Sequence, residues 1–351
     1  MGKASIEDRL GLHSRVGLST APSALIRQGR RSIAAGILLL LPLSLPSQAT
    51  RPMQLVVPYP AGGYADALGR YVAEALSKRL GESVIVVNKP GAASLIGTRY
   101  AIEQARTNGR TILLASFGYL TLQLQGQVAQ FDPDALAPLV QLGSAPAIMY
   151  VRSSMPARNL SEFISWGKKT TGGVLFGTSG VGSSAHLSAE DFASQTAMAV
   201  TAIHFQGSAA SITALAGGHI DAVFGSTEVR DIADAGKIRP LFVGSAVPLS
   251  TWPEVPTSAM VGLNGFHGGA WFGLFVPGRT PAEVQGKLNS EVNALLRDET
   301  AAEHFKRMDF IPTGGSPETF GRFLATEKSR LQRLLQQRNI RLDWGQRSSN
   351  K

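Results

Sequence analysis

One pattern recurs along the chain and restricts the folds open to it. A short apolar strand runs through a turn rich in Gly, Pro and Ser into an amphipathic helix. The first instance is complete by residue 81. Met53 to Tyr59 reads as a strand, and Pro60-Ala61-Gly62-Gly63 as the turn. Leu68, Val72, Leu76 and Leu80 then recur on one helical stripe, which Gly81 ends in the manner of a helix C′ residue. Val84 to Val87 is a second strand, followed by Asn88-Lys89-Pro90-Gly91 and a helix of small residues; Thr111 to Ala115 is a third. Continuous apolar strands alternating with helices predict a parallel sheet covered on both faces.

A second group begins near Ala145, with strands at Ile148 to Val151, Val174 to Phe176, Val200 to Phe205, Ala222 to Phe224 and Leu241 to Val243. Trp271 to Val276 follows as a buried strand, then helices from Pro281 to Leu296 and from Pro317 to Gln337. The C-terminal part has too few strands for a sheet of its own and is expected to return to the first group. The chain therefore reads as lobe 1 at residues 50–143 and 246–351, with lobe 2 inserted at 144–245. Two crossings between the lobes would leave a cleft. A hydrophobic content of 44% is ample for two cores.

Ahead of the first strand stands a leader. Lys3, Arg9, Arg15, Arg27, Arg30 and Arg31 precede the apolar run Ile33 to Leu41, and Ser47-Gln48-Ala49 offers small residues for a cut. These are the parts of a cleavable signal peptide at residues 1–49, which directs the chain to the periplasm. An uncleaved anchor is the alternative, although the run is short for a membrane span. The chain carries 34 Lys and Arg against 25 Asp and Glu. Six of those basic and two of those acidic side chains precede residue 32, so the net charge of +9 falls to +5 without the leader. No basic stripe with interleaved aromatics is present, so nucleic acid is not an expected partner. Lys328 to Arg341 reads as the solvated face of a helix. With no cysteine, disulfides and thiolate sites are excluded.

Four turns stand where a strand meets a helix: residues 58–66, Ser116-Phe117-Gly118, Gly177 to Ser184, and Phe205 to Ser208. In open α/β sheets ligands bind at the carboxyl ends of strands, where such turns gather. Free N–H groups at helix starts, with neighbouring hydroxyls, hold a carboxylate without Arg or Lys. The bland reading of any one turn is that Gly and Ser make tight corners and cap helices; the set of four favours a ligand. Gly177 and Gly182 have phosphate-loop spacing, but Ser183 stands in place of the Lys, which argues against nucleotide hydrolysis. Val181 takes the place of the last Gly of a hydrolase elbow around Ser179. None of His13, His186, His204, His219, His267 and His304 has metal-ligand spacing with another. His186 sits in a helix first turn, able to donate to an anion or to cap its surroundings. Asp66 is by default a helix-start carboxylate, alternatively a group that fixes the loop or meets a ligand amine. Trp271 reads as core.

In this order, behind a leader, these segments resemble the periplasmic solute receptors of the tripartite tricarboxylate transporter family, also called Bug proteins. The resemblance spans residues 57–63, Asn88-Lys89-Pro90-Gly91-Ala92, residues 177–187, Gly207-Ser208, Val255-Pro256-Thr257 and residues 271–277. It implies an α/β, two-lobed periplasmic-binding-protein fold (type II, a Venus flytrap), each lobe a sheet flanked by helices. The implied ligand is a small organic acid, and the implied partners are the membrane permease subunits of such a transporter. Carried over by position, Tyr59, Ala61, Gly62, Gly63, Asp66 and Ser116 would bind it from lobe 1. Ser179, Gly180, Gly182, Ser183, His186, Gly207 and Ser208 would bind it from lobe 2.

The sequence departs from the family pattern. Tyr64-Ala65 replaces Ser-Thr before Asp66, and Val87 and Ala93-Ser94-Leu95 replace Glu and Gly-Gly-Asn. Asn108 and Arg110 stand for Asp and Tyr, Phe205 and Gln206 for Tyr and Lys, and Met260 for an acid. A monomeric receptor without cofactor or metal is expected, with a periplasmic sensor acting on a membrane-bound kinase as the alternative. An enzyme of this fold is disfavoured, since no nucleophile–base pair or cofactor fingerprint is visible.

Overall fold

The computed structural model describes residues 51–107, 110–124, 135–266 and 268–342. The leader expected at residues 1–49, His13 and His267 lie outside the described residues. In chain order the elements are β1 (Met53–Val57), α1 (Tyr64–Leu80), β2 (Val84–Asn88), α2 (Leu95–Thr107), β3 (Thr111–Ala115), α3 (Phe117–Leu124), β4 (Leu136–Pro146) and β5 (Ile148–Arg152). There follow α4 (Leu160–Gly167), β6 (Val174–Thr178), α5 (Ser184–Thr196), β7 (Val200–His204), α6 (Ser208–Ala216), β8 (Ala222–Gly225), α7 (Arg230–Asp234) and β9 (Ile238–Val243). The chain closes with β10 (Gly269–Pro277), α8 (Ala282–Leu296), α9 (Glu299–Arg307), β11 (Ile311–Pro312) and α10 (Pro317–Gln337).

Two sheets form, each the centre of a lobe. The first has six strands in the order β11-β4-β10-β3-β1-β2, the second five in the order β7-β6-β8-β5-β9. The expectation of parallel sheets is corrected. β1 runs parallel to β2 and β3, and β6 parallel to β7 and β8. β10, however, is antiparallel to β3 and β4, and β5 to β8 and β9. The cause is topological. β10 enters the first sheet only after the chain has been through the second, from the opposite end, with no crossover helix to turn it round. β4, α9 and β11 escape a periodicity reading; β4 carries Pro138, Gly143 and Pro146, which break its apolar alternation.

Each sheet is buried on both faces with a period of two. Leu55, Val57, Leu114 and Leu274 point to the side covered by α1, α8 and α9. Their neighbours Val56, Leu113 and Phe275 point to the side of α10, against Phe320 and Leu331. In the second sheet Met149, Phe176 and Phe224 meet Phe163 of α4 and Phe192 of α5, while Tyr150 and Val223 meet Ile212 and Leu215 of α6. α1 buries Leu68, Val72 and Leu76 completely, each contributing about 1.5–3 kcal/mol. Gly81, at φ 69°, ends the helix as the sequence indicates.

Two backbone crossings join the lobes and touch. Only Ala147 separates β4 from β5, and residues 244–268 lead back to β10. Gly244 N–H donates to Ala147 O (2.8 Å), and Ala147 N–H to Gly268 O (3.1 Å). A Cβ on Gly244 would lie 2.5 Å from Gly268 N, so this approach requires glycine. α10 makes a further bridge, from the first lobe to α5. Arg330 Nη1 donates to Asp191 Oδ2 (3.0 Å) and Arg338 Nε to Glu190 Oε2 (2.7 Å). The basic C-terminal stretch is thus partly an interlobe surface rather than a wholly solvated one.

Candidate functional site: a cleft between the lobes

The first loop leaves β1 at Pro58 and turns at Gly62, whose φ of 81° suits a residue without Cβ. Gly63 is the N-cap of α1 and offers no side chain to its first N–H groups. Asp66, only 3% exposed, reaches back instead: Oδ2 accepts from Gly62 N–H (2.9 Å) and from Arg70 Nε (2.9 Å). Its Oδ1 accepts from Asn88 Nδ2 (2.8 Å), which also donates to Tyr59 O (3.3 Å). Burial pushes the Asp66 carboxyl up, but the hydrogen bonds from Arg70, Gly62 and Asn88 outweigh it and hold the group below its ordinary value. Asp66 and Asn88 therefore pin the loop at several points.

Ser116, buried, leads from β3 into α3 and faces the Tyr59 hydroxyl. Burial raises the Tyr59 pKa against hydrogen bonds with Ser94 and Ser116. Across the cleft, Ser183 caps α5, its Oγ accepting from His186 N–H (3.2 Å). Gly182 N–H donates to His186 Nδ1 (3.0 Å), which requires the ring to be unprotonated at that nitrogen. Burial, with a smaller contribution from His204, lowers the His186 pKa to about 4. α6 starts at Ser208 behind Gly207, and no side chain caps it.

These four helix starts converge on one chamber of about 520 Å³ between the lobes. Of the residues singled out from sequence, Tyr59, Gly63, Ser116, Ser179, Gly182, Ser183 and Ser208 line it. Gly62 instead lines an adjoining chamber of about 370 Å³. Ala61, Asp66, Gly180, His186 and Gly207 line neither; Asp66 and His186 are buried in the first turns of α1 and α5, and the other three stand in the loops before the helices. Trp271 is buried beside Phe117, Phe320 and Phe323. Sequence reasoning missed the β8 end, where Ser226 and Glu228 join the wall, and also Ser94 and Phe272. Only the β8 end carried a signal, since Phe224-Gly225-Ser226 is one more strand running into Gly and Ser. Among the described lining residues Glu228 is the one formal charge. The chamber thus presents helix-start N–H groups, hydroxyls and aromatic rings, a combination suited to an anion with an organic body.

Among the described residues no group of three or more His, Cys, Asp and Glu is placed to hold a metal ion. No described helix is long and apolar enough to cross a membrane. The sequence model of the tripartite tricarboxylate transporter family receptor matches residues 68–340. BugT of Bordetella pertussis is 29% identical over 293 residues, covering 82% of this chain and 90% of BugT. Rpa4515 of R. palustris, solved with adipate, superposes with a TM-score of 0.72 at 28% identity, covering 84% of this chain and 99% of that one. MatC of Rhodopseudomonas palustris, solved with malate, gives 0.64 at 25% identity, covering 81% and 98%. The fold is the two-lobed periplasmic-binding-protein architecture, and these relatives are binding receptors rather than enzymes. On the match from residue 68 to residue 340, the chain belongs to the tripartite tricarboxylate transporter family receptors.

Proposed function

We propose that this receptor captures a small carboxylate in the cleft between a lobe at residues 50–143 and 246–351 and an inserted lobe at 144–245. It then delivers that acid to the membrane subunits of a tripartite tricarboxylate-type transporter, from the periplasm, after export through the leader. The observation that carries the reading is the convergence of the α1, α3, α5 and α6 starts on one chamber whose described lining residues include no Lys, Arg or His. Each helix start brings about half a positive charge, so two lobes closing on one anion both gain. That Rpa4515 was solved with adipate and MatC with malate supports an acid as the ligand. Closure would use Gly244 and Gly268 at the crossings, with contacts to both lobes selecting the closed form.

The test is thermal unfolding of the purified protein, stripped of carried-over ligand, against a panel of mono-, di- and tricarboxylates. At a free concentration about 100 times Kd, a bound acid stabilises the fold by about 2.7 kcal/mol. At least one acid should do so. A flat response across the panel, from protein shown to be folded, refutes the proposal.

A further inference from the structure

The main chamber is poor in charge and partly aromatic. Tyr59, Phe117, Phe224 and Phe272 line it, Phe117 as the first residue of α3. Its formal charge, Glu228, is negative and exposed at the border with the smaller chamber. The segment that carries Glu228 is held in place. The Tyr150 hydroxyl donates to Ser226 O (3.0 Å), and Ser226 Oγ to Glu228 Oε2 (3.3 Å).

Cations exist nearby, on the other side of a partition. Arg230 and Arg307 line the smaller chamber, together with Asp309. Arg230 is turned toward other acids, with Nη2 3.3 Å from Glu254 and Nε 3.4 Å from Asp234. Gly63, Tyr64 and Glu228 line both chambers, and Tyr64 is the bulky side chain between them. Its ring stacks on Phe272 (5.7 Å, 27°) and its hydroxyl donates to Met308 O (3.0 Å), so it is fixed at both ends. A ligand seated in the chamber therefore meets aromatic rings, Tyr64 and Glu228, and no cation among the described lining residues.

We infer that the ligand is a monocarboxylate with an apolar, ring-sized body and an uncharged or cationic far end, and that Tyr64 and Glu228 enforce this choice. The inference rests on the carboxylate reading above and narrows it. A second carboxylate directed at Glu228 is repelled, and the Tyr64 ring blocks its way to Arg230 and Arg307. Glu228 stands outside the glycine and serine turns, whereas Tyr64 is the first residue of α1, directly after Gly63, so its side chain sets selectivity from within the first turn. Two like charges a few ångströms apart near a protein surface weaken binding roughly tenfold or more.

The experiment is titration calorimetry of the purified protein with acids paired by skeleton: benzoate against terephthalate, and hexanoate against adipate. The monoacid of each pair should bind roughly tenfold more tightly, and 4-(aminomethyl)benzoate at least as tightly as benzoate. Glu228→Gln should narrow the gap within each pair, and Tyr64→Ser should raise adipate affinity by opening the way to Arg307. The wild-type comparison stands even if a variant fails to fold. Diacids that bind as tightly as their monoacid partners, or a gap unmoved in folded Glu228→Gln, overturn the inference and leave the receptor reading intact. Absence of binding by every acid overturns both.

Discussion

Asp66→Asn tests how the first loop is held. The carboxylate uses both oxygens, Oδ2 for Gly62 N–H and Arg70 Nε, Oδ1 for Asn88 Nδ2. An amide of the same shape offers one oxygen and one NH2. In either orientation a donor then faces a donor at a site 3% exposed. Losing a charge-assisted hydrogen bond and stranding a buried donor costs about 2–3 kcal/mol. The Arg70 side chain is 58% exposed, so its ion pair adds at most about 1 kcal/mol. A total of about 2–4 kcal/mol lowers Tm by roughly 3–7 °C in a fold of this size. Because Gly62 and Gly63 shape the cradle, the Kd of the best acid should rise roughly tenfold, the equivalent of about 1.4 kcal/mol. Differential scanning calorimetry and titration calorimetry read the two effects. Exchanging the pair, Asp66→Asn with Asn88→Asp, restores one complementary contact and should recover part of both losses, giving a coupling energy well away from zero. The folded carboxyl titrates below its ordinary value of 3.8. Its stabilisation is therefore complete above that value and lost as pH falls through the lower folded pKa, a loss the Asn variant should lack. An unchanged Tm and Kd in Asp66→Asn, or strictly additive effects in the exchange, would refute the account.

Two further outcomes follow from groups held in unusual states. His186 titrates at about 4 in the fold against 6.5 in the unfolded chain, so protons favour unfolding between those values. Stability should decline by up to about 3 kcal/mol as pH falls from 6.5 to 4, less so in His186→Gln, and an NMR titration of the wild-type ring with a midpoint near 6.5 would contradict this. Ala92, Ala93 and Ser94 hold positive φ angles of 45°, 50° and 81° where Cβ is disfavoured. Ala93→Gly relieves about 1–2 kcal/mol of left-handed strain and returns about 0.4–1 kcal/mol to the unfolded chain. A modest rise in Tm is expected, and a fall would show that φ at Ala93 is not costly.

The elements legible in the sequence are those with an uninterrupted period. β1, β3 and β5 are apolar but for Gln54, Thr111 and Arg152, and the α1 stripe of Leu68, Val72 and Leu76 announces both a helix and the face it buries. The turns that meet at the chamber were legible as a set, because a strand ending in Gly or Ser before a helix recurs four times along the chain, although each alone reads as a corner or a cap. β4 was not, because Pro138 and Gly143 interrupt its pattern and its pairing with β10 is made across more than a hundred residues. Strand direction was not legible either, since an apolar run buried on both faces looks the same in a parallel or an antiparallel ladder. The placement of Glu228 on the cleft wall depends on the order β6-β8-β5, which no local pattern encodes.

Asp66 and His186 show why polar residues near a site are hard to rank from sequence. Each stands one turn into its helix and accepts an N–H from the glycine four residues before it, Gly62 and Gly182. Each therefore removes one backbone donor from the loop while fixing the direction of the others. A carboxylate in the first turn of α1 would repel an anionic ligand if it faced the chamber; buried behind the loop with Arg70 and Asn88, it is compensated locally. The cradle is thus made of backbone and small side chains, whose chemistry is nearly the same whichever acid is bound. Selectivity then falls to the few large or charged side chains that remain on the wall. In this chain those include Tyr64 and Glu228, one a bulky ring at the start of α1 and the other a charge on the wall, and the selectivity proposed above predicts that a substitution at either alters the preferred acid.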